Sequence, residues 1–64
     1  MKLPDIEDFA AMIAYHRRLR QKRQRTLFSL RRGGKVKTQA RREWRIASLS
    51  RWLQQLESRH PWLA

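Results

Sequence analysis

Leu30-Arg31-Arg32-Gly33-Gly34-Lys35-Val36-Lys37-Thr38 decides the fold of this chain. Two adjacent glycines reach the left-handed backbone angles that stop a helix and reverse its direction, at no side-chain cost. Apolar residues recur at helical spacing on both sides of them, so the stretch reads as the turn of a helical hairpin, with a short basic loop over 32–37.

On the N-terminal side, Ile6, Phe9, Met12, Ile13, Leu19, Leu27 and Leu30 fall within one arc when successive residues are set about 100° apart. Arg18, Lys22, Arg25 and Ser29 fall opposite. Pro4 suits a first helical position, Asp5 suits a cap, and Asp5, Glu7 and Asp8 put negative charge where the helix dipole favours it. Together these signals predict one helix from about residue 4 to residue 31. His16, Arg20 and Arg23 interrupt the apolar arc, so its second half is expected to bury less completely, with arginine stems covering apolar surface and their heads reaching outward. His16 reads as a packed residue at the edge of the core.

On the C-terminal side, Thr38 is a candidate cap for a second helix over about 38–58. Within it Ile46, Leu49, Leu53 and Leu56 repeat at spacings of three, four and three, the pattern of a narrow packing seam, and Trp52 widens the stripe. The residue before a proline avoids helical angles, so Ser58-Arg59-His60-Pro61 ends this helix and leaves a tail over 59–64, in which Trp62 and Leu63 can fold back over the seam. The predicted architecture is an all-α, antiparallel two-helix hairpin forming a single small basic domain over 1–64. Phe9, Ile13, Trp52, Leu53 and Trp62 are more than two helices readily cover, so dimerisation into a four-helix arrangement is expected. There is no internal repeat.

Composition narrows the function. The chain has 64 residues, a formal net charge of +11 and no cysteine, so neither a disulfide nor a thiolate metal site can supplement a thin core. No run of apolar residues approaches a membrane span, and Met1-Lys2-Leu3-Pro4 leads into acids and not into a signal-peptide core, which points to a cytoplasmic protein or one carried in a virion, with no membrane partner. The five acids are split between the first turn and two isolated sites, and His16 has no carboxylate at helical spacing. Enzymatic catalysis, a metal and a cofactor are therefore not expected.

Thirteen of the sixteen basic residues lie between Arg17 and Arg45, a window whose one acid is Glu43. Such a segment repels itself and calls for an anionic partner. Twelve of the sixteen cations are arginine, whose planar fork matches a phosphate or a guanine edge with two hydrogen bonds. The tract Arg17-Arg18-Leu19-Arg20-Gln21-Lys22-Arg23-Gln24-Arg25 resembles the arginine-rich motifs with which short helices enter a nucleic-acid groove. Lys37-Thr38-Gln39-Ala40-Arg41-Arg42-Glu43 resembles the opening of the arginine-rich helices of phage antitermination proteins, which implies binding to RNA hairpins. Leu27-Phe28-Ser29-Leu30-Arg31 and Arg41-Arg42 are similar in kind to elements of the two-helix hairpin protein of the large ribosomal subunit, with a shorter spacing here, and that likeness implies shared architecture alone.

Trp44 stands about 160° from Ile46 on the helical wheel, opposite the leucine seam and flanked by Arg41, Ser48 and Arg51. An indole on an exposed basic face can stack on an unpaired base or anchor a protein partner. The leading expectation is a small nucleic-acid-binding protein, for DNA or RNA, of phage, plasmid or bacterial accessory type. In it Arg17, Arg18, Lys22 and Arg25, with Arg41, Arg45 and Arg51, hold phosphates, Lys35 and Lys37 add to the field, and Trp44 supplies selectivity. The rival expectation is an interaction protein that binds an acidic surface of a larger machine, through the same arginines and with Trp44, Trp52 and Trp62 as anchors.

Overall fold

The computed structural model describes residues 8–64, and these form a helical hairpin. Two helices, α1 (Phe9–Arg31) and α2 (Val36–Arg59), pack along their lengths, and a single 3₁₀ turn, Pro61–Leu63, follows. They are antiparallel, because side chains progressively earlier in α1 meet residues progressively later in α2: Ser29 with Arg42, Arg23 with Ser50, His16 with Glu57. No strand occurs among the described residues. The molecule measures 41 × 18 × 15 Å, a rod about two helices wide.

Helix α1 starts at Phe9, five residues later than the sequence pattern predicts. Asp8 is extended (φ −79°, ψ 123°), and its carboxylate accepts the Ala10 backbone N–H at 3.1 Å. Aspartate is among the best N-caps because it satisfies a backbone donor that has no partner within the helix, and Asp8 thereby takes the role expected of Asp5. Pro4, Asp5, Ile6 and Glu7 lie outside the described residues.

The turn is built largely by side chains of α2. Gly33 is left-handed (φ 83°), and its N–H donates to the Leu30 carbonyl at 3.1 Å, closing α1 as a glycine beyond the C-cap does. The last carbonyls of any helix need partners from outside it. Here Gln39 Nε2 donates to the Leu30 carbonyl at 2.9 Å, and Arg42 Nη1 donates to the carbonyls of Ser29 at 2.9 Å and Gly33 at 3.1 Å. Arg42 Nη1 also donates to Gln39 Oε1 at 2.8 Å, so the two side chains act as one clasp. This arrangement shortens the loop to residues 32–35 and starts α2 at Val36. The N-cap is Lys35, without a side-chain bond, and Thr38 stands inside the helix, where a cap was expected.

Met12 and Leu19 of α1 interlock with Leu49, Leu53 and Leu56 of α2, and Tyr15, Trp52 and Leu63 pack around them. The leucine seam is buried as its spacing requires, with Ile46 half-buried at its turn-proximal end. On α1 the buried stripe is narrower than the apolar arc and rotated within it. His16 is only 5% exposed, whereas Phe9 is 69% exposed and Ile13 is also open. One facing helix covers one stripe, and the far edge of the arc would need a third element to cover it. The C-terminal turn covers part of that edge, since Leu63 reaches the core and Trp62 meets Phe9 edge to face at 5.2 Å. The phenolic oxygen of Tyr15 is buried without a hydrogen-bond partner among the described residues.

Candidate nucleic-acid interface

A hairpin of two helices has two flanks, and each flank is a groove between α1 and α2. On one flank Lys22, Arg25, Thr26 and Ser29 of α1 face Arg42 and Arg45 of α2 across an open cleft of about 350 Å³. Four cations converge there, and among the described residues no carboxylate lines the cleft. Arg18 lies one helical turn before Lys22, and Arg41 one turn before Arg45, so both extend the basic strip lengthwise. Of these six, Arg42 is half-buried by its clasp, and the other five are exposed.

The fold explains why these cations stay available. Among the described residues the one carboxylate held by a basic side chain is Glu57, whose Oε1 lies 2.9 Å from His16 Nε2 in a hydrogen bond. Asp8 is engaged at the N-cap of α1, and Glu43 is exposed and does not line the cleft. Part of the self-repulsion implied by composition therefore falls on this face, where four cations converge.

The opposite flank is different in kind. Arg20, Arg23, Gln24, Ser50, Leu53, Gln54 and Glu57 surround a second cleft of about 430 Å³, and there Arg23 Nε donates to Ser50 Oγ at 2.8 Å. Arg17 belongs to this side as well, beside Ile13, His16, Arg20 and Trp62. It is exposed but stands away from Lys22 and Arg25, with which the sequence grouped it. Lys35 and Lys37 are exposed at the turn end of the rod.

Trp44 is 69% exposed. With Ser48, Arg51, Trp52 and Gln55 it lines a shallow groove of about 320 Å³ on α2, separate from the four-cation cleft. Ser48, expected on the exposed face beside Trp44, is instead 5% exposed. Its small side chain stands one helical turn from Trp44 on one side and from Trp52 on the other, at the bottom of the groove they line. The ten residues picked out from sequence, Arg17, Arg18, Lys22, Arg25, Lys35, Lys37, Arg41, Trp44, Arg45 and Arg51, are all exposed, but they are spread over three faces. The cleft unites Lys22, Arg25 and Arg45.

Two residues of consequence escaped the sequence reading. Arg42 was passed over in favour of its neighbours Arg41 and Arg45, yet it alone joins the turn to the cleft. Glu57 was counted as an isolated acid, although it holds His16 from 41 residues away. Only the antiparallel register, which sets residue 16 opposite residue 57, reveals that pair.

No helix among the described residues is long and apolar enough to cross a membrane, and no cluster of side chains among them is arranged to hold a metal ion. No family model, curated protein or solved structure matches the chain.

Proposed function

We propose that this protein binds nucleic acid through its phosphate backbone, stoichiometrically and without turnover. The observation that carries the reading is the convergence of Lys22, Arg25, Arg42 and Arg45, from both helices, on one cleft without a carboxylate. Phosphate oxygens can satisfy several guanidinium and ammonium donors at once, and contacts of this type give affinity and register without reading sequence. Lys35 and Lys37 at the turn extend the positive field beyond the cleft. The chain acts as a small accessory protein of phage, plasmid or bacterial type, working in the cytoplasm.

The test is the salt dependence of binding to duplex DNA and to structured RNA. Each phosphate neutralised contributes about 0.9 to the log–log slope on duplex DNA, so Arg25→Ala and Arg45→Ala should each flatten it by roughly one unit. Salt-insensitive or absent binding would overturn the reading.

A second reading rests on the exposed indole of Trp44 beside Arg51: an acidic protein surface as partner, with Trp44 as the anchor. Tryptophan and arginine are enriched among interface hot spots, so Trp44→Ala would then cost at least about 2 kcal/mol of binding, and nucleic acid would compete poorly. Self-association is proposed on narrower ground. Of the five residues that suggested it, Leu53 and much of Trp52 are covered within the hairpin itself, which leaves Phe9, Ile13 and Trp62 exposed for a second copy. Light scattering over a range of concentrations decides between monomer and dimer.

A further inference from the structure

Of the three tryptophans, Trp62 is in ring contact with both Phe9 and His60. Trp44 and Trp52 differ, because among the described residues no aromatic ring or guanidinium stacks on either indole. They stand four residues before and four residues after Ser48, so all three lie along one strip of α2. Eight residues at ~1.5 Å of rise set the two indoles about 12 Å apart along the helix axis. Ser48, small and buried, forms the floor between them, and Arg51 and Gln55 form a polar rim. The groove's volume of about 320 Å³ falls at the small end of ligand sites.

Indole walls give a flat ligand something to stack on. The rim offers guanidinium donors together with an amide that both donates and accepts, which is what the edge of a heterocyclic base requires. Position adds a further constraint. Arg45, on the wall of the phosphate cleft, precedes Ser48 by three residues and Trp52 by seven. At ~1.5 Å of rise per residue these offsets are about 4.5 Å and 10.5 Å. A stacked strand advances ~3.4 Å per nucleotide, so cleft and groove are roughly one to three nucleotides apart.

We infer that the Trp44–Trp52 groove takes an unpaired nucleobase from the same strand whose backbone lies in the Lys22–Arg45 cleft. This rests on the nucleic-acid reading above and makes it more specific: the preferred ligand is a single strand or a loop. Within a continuous duplex both faces of every base are already stacked, and the groove has nothing to receive.

The experiment titrates the full chain, at one fixed salt concentration, with a thymine homopolymer, an RNA hairpin carrying an unpaired loop, and a blunt mixed-sequence duplex. Tryptophan emission and affinity are read together. Single strand and loop should quench emission and bind more tightly than duplex, and Trp62→Phe should leave the quenching in place. Trp44→Ala should reduce the single-strand affinity by ~5- to 100-fold, the range set by loss of one stacked base, with the salt slope unchanged. Trp44 lies outside the core, so this variant does not depend on the packing of the hairpin. Trp52 touches the core, so Trp52→Leu is used there to remove the ring and keep apolar bulk. Equal affinity for all three ligands, without quenching and with no effect of Trp44→Ala, would overturn the base site and leave phosphate binding standing. Absence of binding to any of them would overturn both. A protein complex lost in Trp44→Ala and resistant to nuclease would reassign the groove to a protein partner.

Discussion

The two flanks of the hairpin carry similar residues to different ends. On one, Arg23 is tied to Ser50 and a carboxylate, Glu57, stands in the groove, itself bonded to His16. On the other, Lys22, Arg25 and Arg45 face an open cleft without an acid, and the one anchored arginine, Arg42, is held by backbone carbonyls that leave its charge uncancelled. The first flank is a seam that holds the helices in register. The second leaves its cations without a facing acid among the described residues. Arginine density therefore says little about the use of any single arginine. What matters is whether the facing helix presents a partner.

The largest effect should come from a change that removes both flanks at once. Leu53→Ala empties a buried position in the shared core and should cost about 2 to 5 kcal/mol, enough to unfold a domain this small. Thermal melting followed by circular dichroism measures it, and a melt like that of the parent would mean that the seam does not hold the helices together.

Next come changes that damage one flank through its hydrogen bonds. Glu57→Ala leaves the buried His16 without its partner, and Arg42→Ala releases the Ser29 and Gly33 carbonyls. Glu57→Ala should cost about 1 to 3 kcal/mol, the penalty for orphaning a buried polar group, and Arg42→Ala about 1 kcal/mol, because the carbonyls it releases are half-buried or exposed. Only Arg42→Ala should also weaken polyanion binding, since Glu57 stands on the opposite flank.

A finer contrast is Arg23→Ala against Arg25→Ala, two residues apart on α1. Arg23→Ala should lower stability by about 1 kcal/mol and leave the salt slope of binding intact. Arg25→Ala should leave the melting point unchanged and flatten the slope. If the two variants proved interchangeable, the distinction between the flanks would fail.

Much of the fold was legible because its signals are local. Gly33-Gly34 marks the turn, and the three-four-three leucine spacing of α2 marks the face that buries. The helix starts were misplaced for reasons that a linear pattern does not contain. Asp8 and Asp5 are equivalent as cap residues on paper, and α2 begins before Thr38 because Gln39 and Arg42 reach back to α1. The wheel found the apolar arc of α1, but only the partner helix selects which stripe within it is covered, hence a buried His16 and an exposed Phe9. The basic face was legible as charge and illegible as geometry. Arg17 and Arg25 belong to one tract in sequence and to different faces in space, and Trp44 lies in a groove of its own beside the cleft.

The clasp at the turn also bears on how the hairpin forms. Gln39 meets Leu30 across nine residues, whereas His16 meets Glu57 across 41. Closing the longer loop directly costs roughly 1.3 kcal/mol more in chain entropy, so the turn end is expected to close first and the helices to zip from it toward Phe9 and Trp62. Loss of the Arg42 clasp should then slow folding and loss of Glu57 speed unfolding, as stopped-flow folding and unfolding rates of the two variants would show. Burial runs the other way along the rod: Met12, His16 and Leu19 of α1 and Leu49, Leu53 and Leu56 of α2 all lie in the half remote from the turn, so amide exchange should be slowest around that core and faster in the turn-proximal half.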